Sequence, residues 1–225
     1  MHTKITFDLP ESNLRIGFLE AFNIKVKQSS EKYQQTINKD INEMLKPNYS
    51  YPDNMQKGIR SLLKTFGFHP SGRSRPASEY LFKDLSNRGS FNYINNVVDI
   101  NNHISLKYKL PISVFDLDKS GYNLCLRVGK DTEEYVFNKE GQILTLKKLL
   151  LVAKTDGEAI GTPVKDSQAT KVFEPTNKIA FFVYSSSNIT SKEEMTKILD
   201  EIAEYLSEEA EAADISKAVL DANSN

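Results

Sequence analysis

The run "NNVVDINNHISLKYKLPISVFDL", Asn95 to Leu117, holds the point at which the chain changes from one periodicity to another. Ile94, Val97, Val98, Ile104 and Leu106 recur close to every 3.6 positions, which predicts a helix. Its polar positions are unusual, with Asn95, Asn96, Asn101 and Asn102 beside Asp99 and His103. Asparagine is a weak helix former because its side chain competes for backbone hydrogen bonds. These amides are therefore expected to have partners, either backbone or ligand. After Pro111 the texture becomes short alternating runs broken by Gly, Asp and Asn, which predicts strands and hairpins.

Working outward, "LRIGFLEAFNIKV" predicts an early strand, with Leu14, Ile16 and Phe18 alternating. Ser29 or Ser30 starts a helix with Tyr33, Ile37, Ile41, Met44 and Leu45 on one face, and a second helix follows from Asp53. "GFHPSGRSRP" is a loop, and Pro76 to Gly89 reads as a third helix. The end, "TSKEEMTKILDEIAEYL", is an amphipathic helix with Thr190 and Glu193 as a capping box. Beyond Glu211 the tail is expected to fray, and removal of the segment after Glu208 to leave the fold intact. Helices first, strands later and a closing helix predict an α+β fold. The expected organisation is one domain, with residues 1–70 an N-terminal α/β extension packed on a core of 71–211, and 212–225 a frayed acidic tail.

The chain has 225 residues, 39% hydrophobic and 26% charged, enough to bury a real core. The single cysteine, Cys125 in an alternating strand pattern, excludes an internal disulfide framework and fits a reducing cytoplasm. With three scattered histidines, a metal site is not expected. No apolar run approaches the roughly 20 residues of a membrane span, and the start has no apolar core of a signal peptide. The net charge of −1 hides an asymmetry. From Thr190 onward three Lys face ten acidic residues, whereas the preceding 189 residues hold 26 basic against 20 acidic. A basic body hints at a polyanionic partner without proving one. Nucleophile-elbow, HExxH, Walker and GxGxxG signatures are absent.

One order of motifs is more informative. Asn95-Asn96, "VVDI" with Asp99, Asn102, Pro111, "FDLDK" from Phe115 to Lys119 and Arg127 follow "SRPASE" at 74–79. "KDSQATKV" with Asp166, Ser167 and Thr170, and "PTNKIAFFV" with Asn177, come after. This series, over about residues 57 to 185, resembles the tRNA-binding editing domain of the phenylalanyl-tRNA synthetase beta subunit, and more closely the stand-alone proteins built on that domain. The resemblance implies an α/β sandwich around a mixed central sheet flanked by helices, with a cleft for the aminoacyl end of tRNA. It implies hydrolysis of wrongly charged aminoacyl-tRNA in trans, with tRNA as partner, no DNA and no cofactor. The family's histidine after a Gln-Pro-Met run falls at Ser113 here, its last-strand glutamate near Phe181, and its double glycine is reduced to Gly161-Thr162.

An aminoacyl ester is already activated, so its hydrolysis needs a placed water, oxyanion stabilisation and exclusion of the correct amino acid rather than a protein nucleophile. Asn95, Asn96 and Asn102 could orient water and the substrate amine while Asp99 fixes the amides. The alternative is that Asp99 and Asn102 cap turns and satisfy buried backbone, with Asn95 and Asn96 facing a cleft. Gly161, Thr162, Asp166 and Ser167 form a candidate substrate-binding loop, or an ordinary turn. Arg73 and Arg75, in a loop at a helix start, are the phosphate-binding candidates. Arg127 on a strand either holds phosphate or pairs with an internal acid. His103 suits packing, and Asp116 and Asp118 suit turns. Three functions stay open: a deacylase acting in trans, an RNA-binding or regulatory module that kept the fold without the chemistry, and a protein acting on a small amino-acid derivative.

Overall fold

The computed structural model describes residues 2–72 and 74–222. In chain order the strands are β1 (Lys4–Asp8), β2 (Leu14–Phe22), β3 (Ile112–Asp116), β4 (Asn123–Val128), β5 (Glu134–Val136), β6 (Ile143–Thr145), β7 (Leu150–Lys154), β8 (Ala159–Gly161), β9 (Lys178–Ser186) and β10 (Asp214–Asp221). The helices are α1 (Glu31–Ile41), α2 (Asp53–Thr65), α3 (Ala77–Arg88), α4 (Asn96–Tyr108), the short α5 (Leu117–Ser120) and α6 (Lys192–Ala210). The class is α+β. The strands divide between two four-stranded sheets and a small ribbon. An antiparallel sheet runs β10-β2-β9-β3, a mixed sheet runs β1-β4-β7-β8 with β1 and β4 parallel, and β5 pairs with β6.

Period-two alternation assigns each sheet residue to one of two cores. Leu14, Ile16 and Phe18 of β2, Phe115 of β3 and Ala180, Phe182 and Tyr184 of β9 meet the mixed sheet. The intervening Leu19, Ala21, Ile112, Val114, Ile179, Phe181 and Val183 meet helices α1, α4 and α6. The antiparallel sheet is thus the middle layer of three, and a side chain's parity decides which core it enters. Gly17 is required where α6 crosses β2, because a Cβ there would collide with Met195.

Three sequence expectations are corrected. The helix α6 is capped one residue later than expected, with Ser191 and Glu194 making the reciprocal capping box. Residues 1–70 are not an appended layer: β2 lies inside the antiparallel sheet between β9 and β10, and β1 is an edge of the mixed sheet. The tail does not fray, since Asp214–Asp221 forms β10 along the whole of β2. Long-range polar contacts hold it. Arg15 donates through Nε and Nη2 to Asp221 at 2.7 and 3.0 Å and through Nη1 to the Thr190 carbonyl at 2.8 Å. Fully buried Glu20 accepts from Thr3 and Ser216. The region after Glu208 is equally committed, with the Glu209 carboxylate accepting from the N–H and hydroxyl of Ser30 and the Ala210 carbonyl from the Lys25 N–H.

Candidate functional site

The asparagine-rich helix α4 carries Asn96, Asp99 and Asn102, with Asn95 at its start. Asn95 is the N-cap of α4, its Oδ1 accepting from the Val98 N–H at 2.9 Å. Asn96 is fully buried. Its Nδ2 donates to the carbonyls of Lys25 and Glu209 at 2.9 and 2.8 Å, and its Oδ1 accepts from the N–H groups of Lys27 and Val97. Asp99, also fully buried, accepts from the Ser29 hydroxyl at 2.6 Å and the Ile94 N–H at 2.8 Å. Burial pushes the Asp99 carboxyl upward against those bonds. The partner of these side chains is therefore backbone and neighbouring hydroxyl. Asn96 does not face a cleft, contrary to expectation, and joins Asp99 in holding the surrounding backbone. Asn102 is the half-exposed member, beside the exposed Ile94 at a shallow concavity against α3. His103 is buried between the Tyr33 hydroxyl at 3.0 Å and Asp40 at 3.2 Å, and burial lowers its pKa. That is a packing role between α1 and α4.

The second candidate group, Gly161, Thr162, Asp166 and Ser167, is brought together in one loop after β8. Asp166 Oδ1 accepts from the Ser113 hydroxyl at 2.6 Å, and Ser113 in turn accepts from the Tyr184 hydroxyl at 3.1 Å. The N–H groups of Thr162 and Val114 also support the carboxylate. Thr162 Oγ1 donates to the Lys165 carbonyl at 2.8 Å, and the Tyr135 hydroxyl donates to that same carbonyl. Gly161 has a positional reason. A Cβ there would strike the Phe115 ring and the Asp166 carboxylate, so only glycine lets β8 pass this close. Ser167 caps the short turn that follows, through the Ala169 N–H at 3.2 Å.

Asp166 is surrounded by protein on most sides yet keeps some solvent contact. Desolvation raises its pKa from 3.8 to about 7, with the Ser113 bond opposing the shift. Lys171 is half-buried nearby, and burial lowers its own pKa while Asp166 opposes that shift. The Lys171 ammonium donates to the Phe137 carbonyl at 2.6 Å, so it biases Asp166 from a distance rather than by contact. A carboxyl poised near neutrality, bonded to the Ser113 hydroxyl and through it to Tyr184, can accept a proton from water or hold an ammonium group.

The two candidate groups lie on opposite faces of the antiparallel sheet, α4 on the helical side and Asp166 between the sheets. The positions that depart from the resembled family separate in the same way. Ser113 touches Asp166, whereas Phe181 is buried toward the helices. Tyr184 and Tyr135 were not singled out in the sequence. The signal for Tyr184 was its place in the inward row Ala180, Phe182, Tyr184, since a buried tyrosine needs a polar partner.

Of the basic candidates, Arg73 lies outside the described residues. Arg75 is partly exposed and donates from Nε to the Gly72 carbonyl at 2.8 Å, with no acidic partner among the described residues. Its loop is tied to the Asp166 loop, because the Ala77 N–H at the start of α3 donates to the Pro163 carbonyl at 2.8 Å. Of the two roles open to Arg127, phosphate binding is overturned: its guanidinium is bidentate to Glu133 at 2.8 and 2.6 Å and also bonds the Gly157 carbonyl, so it is an internal partner. Asp116 caps α5 through the Asp118 N–H and pairs with Lys119, and Asp118 pairs with Lys178. Among the described residues no group of three or more His, Cys, Asp and Glu could hold a metal ion, and no helix is long and apolar enough to cross a membrane.

Residues 70–223, which contain the Asp166 loop, Ser113 and Tyr184, match the B3/4 domain family. The chain belongs to that family. It is similar to the phenylalanine--tRNA ligase beta subunit of Fusobacterium nucleatum subsp. nucleatum, 29% identical over 199 residues, covering 84% of this chain and 24% of the relative. It is also similar to the corresponding subunit of Listeria innocua serovar 6a, 34% identical over 99 residues, 42% of this chain and 12% of that one. The chain thus spans a quarter or less of the length of these relatives. Among solved structures, an N-terminal fragment of the phenylalanyl-tRNA synthetase beta subunit from Pyrococcus horikoshii aligns with a TM-score of 0.43 and 11% identity, over 96% of this chain and 50% of that one.

Proposed function

We propose that this B3/4 domain acts on tRNA, and specifically that it hydrolyses the ester of wrongly charged aminoacyl-tRNA in trans. The observation that carries the reading is Asp166, a carboxyl whose desolvation raises its pKa to about 7, accepting from the Ser113 hydroxyl, which in turn accepts from the Tyr184 hydroxyl. A general base is most effective when its pKa lies near the working pH, and an ordinary aspartate near 3.9, though fully ionised, is too weakly basic. Asp166 takes a proton from the attacking water as the ester carbonyl becomes tetrahedral. The tRNA's own terminal ribose hydroxyl assists, and the proton then passes to the departing ribose oxygen. Ser113, at 1% exposure, is too buried to be a nucleophile and keeps Asp166 oriented. Similarity to the beta subunits supports tRNA as the carrier of the ester.

A second reading is favoured by one observation: Asn96 and Asp99 are wholly committed to structural bonds. On that reading the chain binds tRNA and has no hydrolase chemistry. Purified protein incubated with a panel of mischarged aminoacyl-tRNAs separates the two. Hydrolysis of at least one ester, lost in Asp166→Asn, supports the first; tRNA binding with no hydrolysis of any ester supports the second.

A further inference from the structure

The outer face of α3 is not used by the site above. Tyr80 stands on it with 52% of its surface exposed, and its ring and hydroxyl have no hydrogen-bond or aromatic partner among the described residues. It divides two concavities, one of about 350 Å³ reaching Arg75 and Lys83 and one of about 220 Å³ reaching Asn102 and the exposed Ile94. Asp84, the one acidic residue lining them, is already bonded to Arg88 at 2.8 Å. Arg75 and Lys83 have no acidic partner among the described residues, so the face carries uncompensated positive charge beside an unpartnered aromatic ring. It is also continuous with the candidate site through the Ala77 to Pro163 backbone bond at 2.8 Å.

Exposed aromatic rings flanked by cations and neutral amides fit single-stranded nucleic acid, whose bases stack on the ring while phosphates meet the cations. A protein partner fits less well, because Leu81, Leu85, Phe91 and Leu106, which also line this face, are buried or half-buried, and its exposed large apolar side chains are Tyr80 and Ile94. We propose that the α3 face is a docking surface for single-stranded RNA, with a base stacked on Tyr80 and flanking phosphates held by Arg75 and Lys83. The proposal rests on the tRNA reading for the source of the strand and adds where that strand lies: it crosses α3 and leads past the start of that helix to the Asp166 loop.

The test is fluorescence anisotropy with a short labelled single-stranded RNA ending in CCA, compared with the same sequence as a duplex. Wild type is expected to prefer the single strand. Tyr80→Ala should weaken binding by about 5- to 100-fold, while Tyr80→Phe, which keeps the ring, stays close to wild type. Lys83→Ala should lower the slope of log affinity against log salt by about 0.7, the share of one phosphate on a single strand. Thermal melting of each variant should match wild type, since the substituted side chains are exposed. If Tyr80→Ala binds like wild type, or the duplex is preferred, the proposal is overturned. If no ester is hydrolysed while binding still depends on Tyr80, only the hydrolase reading falls.

Discussion

Asp166→Asn should make the protein more stable at neutral pH. In the folded state the carboxyl titrates at about 7, and in the unfolded chain near 3.8. Between those values the folded protein holds the proton that the unfolded chain has released. Stability therefore falls as pH rises from about 4 to about 7 and then levels off. A group displaced this far costs the folded state about 4 kcal/mol at most above neutrality, and the solvent contact of Asp166 reduces that to about 2 to 3 kcal/mol. The asparagine keeps an oxygen to accept from Ser113 and cannot ionise. For a chain of this size the difference corresponds to roughly 4–12 °C in melting temperature. Wild type and variant should be melted in parallel from pH 4.5 to 8.5, so that all other titrations cancel. The expected result is near-equality at the acid end and a growing advantage for the variant toward pH 8. A constant difference across the range, or a variant less stable throughout, would refute the argument that Asp166 is a desolvated carboxylate.

Further outcomes follow from the same contacts. Asn96→Ala should destabilise by about 2–4 kcal/mol in denaturant unfolding, because it removes a fully buried amide and the partner it gives the backbone of Lys25, Lys27 and Glu209, while leaving turnover per folded molecule unchanged. Truncation after Ala213 should lower the melting temperature and bare the β2 edge, because it removes β10 and the Asp221 partner of Arg15. Arg127→Ala should cost about 1–3 kcal/mol of stability, since it leaves partly exposed Glu133 with only the Lys130 N–H as partner, without altering the salt dependence of RNA binding.

The helices were legible because their apolar stripes are local, and the decisive helix at Asn96–Tyr108 was found despite its asparagines. What those asparagines do was harder to read. The partners of Asn96 sit at residues 25, 27 and 209, and no spacing within "NNVVDINN" encodes them. The same limit hid β10, whose anchor Asp221 lies 206 positions from Arg15. The strand β1 was missed because "KITFD" is short and half-exposed, and its ordering comes from parallel pairing with Asn123–Arg127. In the candidate site the Asp166 loop was visible as Gly161, Thr162, Asp166 and Ser167. The identity of its neighbours was not, because Ser113 and Tyr184 reach it only through strand pairing. The sequence set the loop residue Arg75 apart from the strand residue Arg127 without naming a partner for either; Glu133 neutralises Arg127, and no described acid meets Arg75.

The most direct test of the central claim is the single-turnover rate of ester hydrolysis against pH, for wild type and Asp166→Asn, on whichever mischarged tRNA the panel identifies. The rate should rise with pH as Asp166 ionises and level off above about pH 7, and the variant should lose about 100-fold or more and the inflection with it. A variant that hydrolyses the ester at the wild-type rate, or a wild-type profile without an inflection near pH 7, would contradict the account.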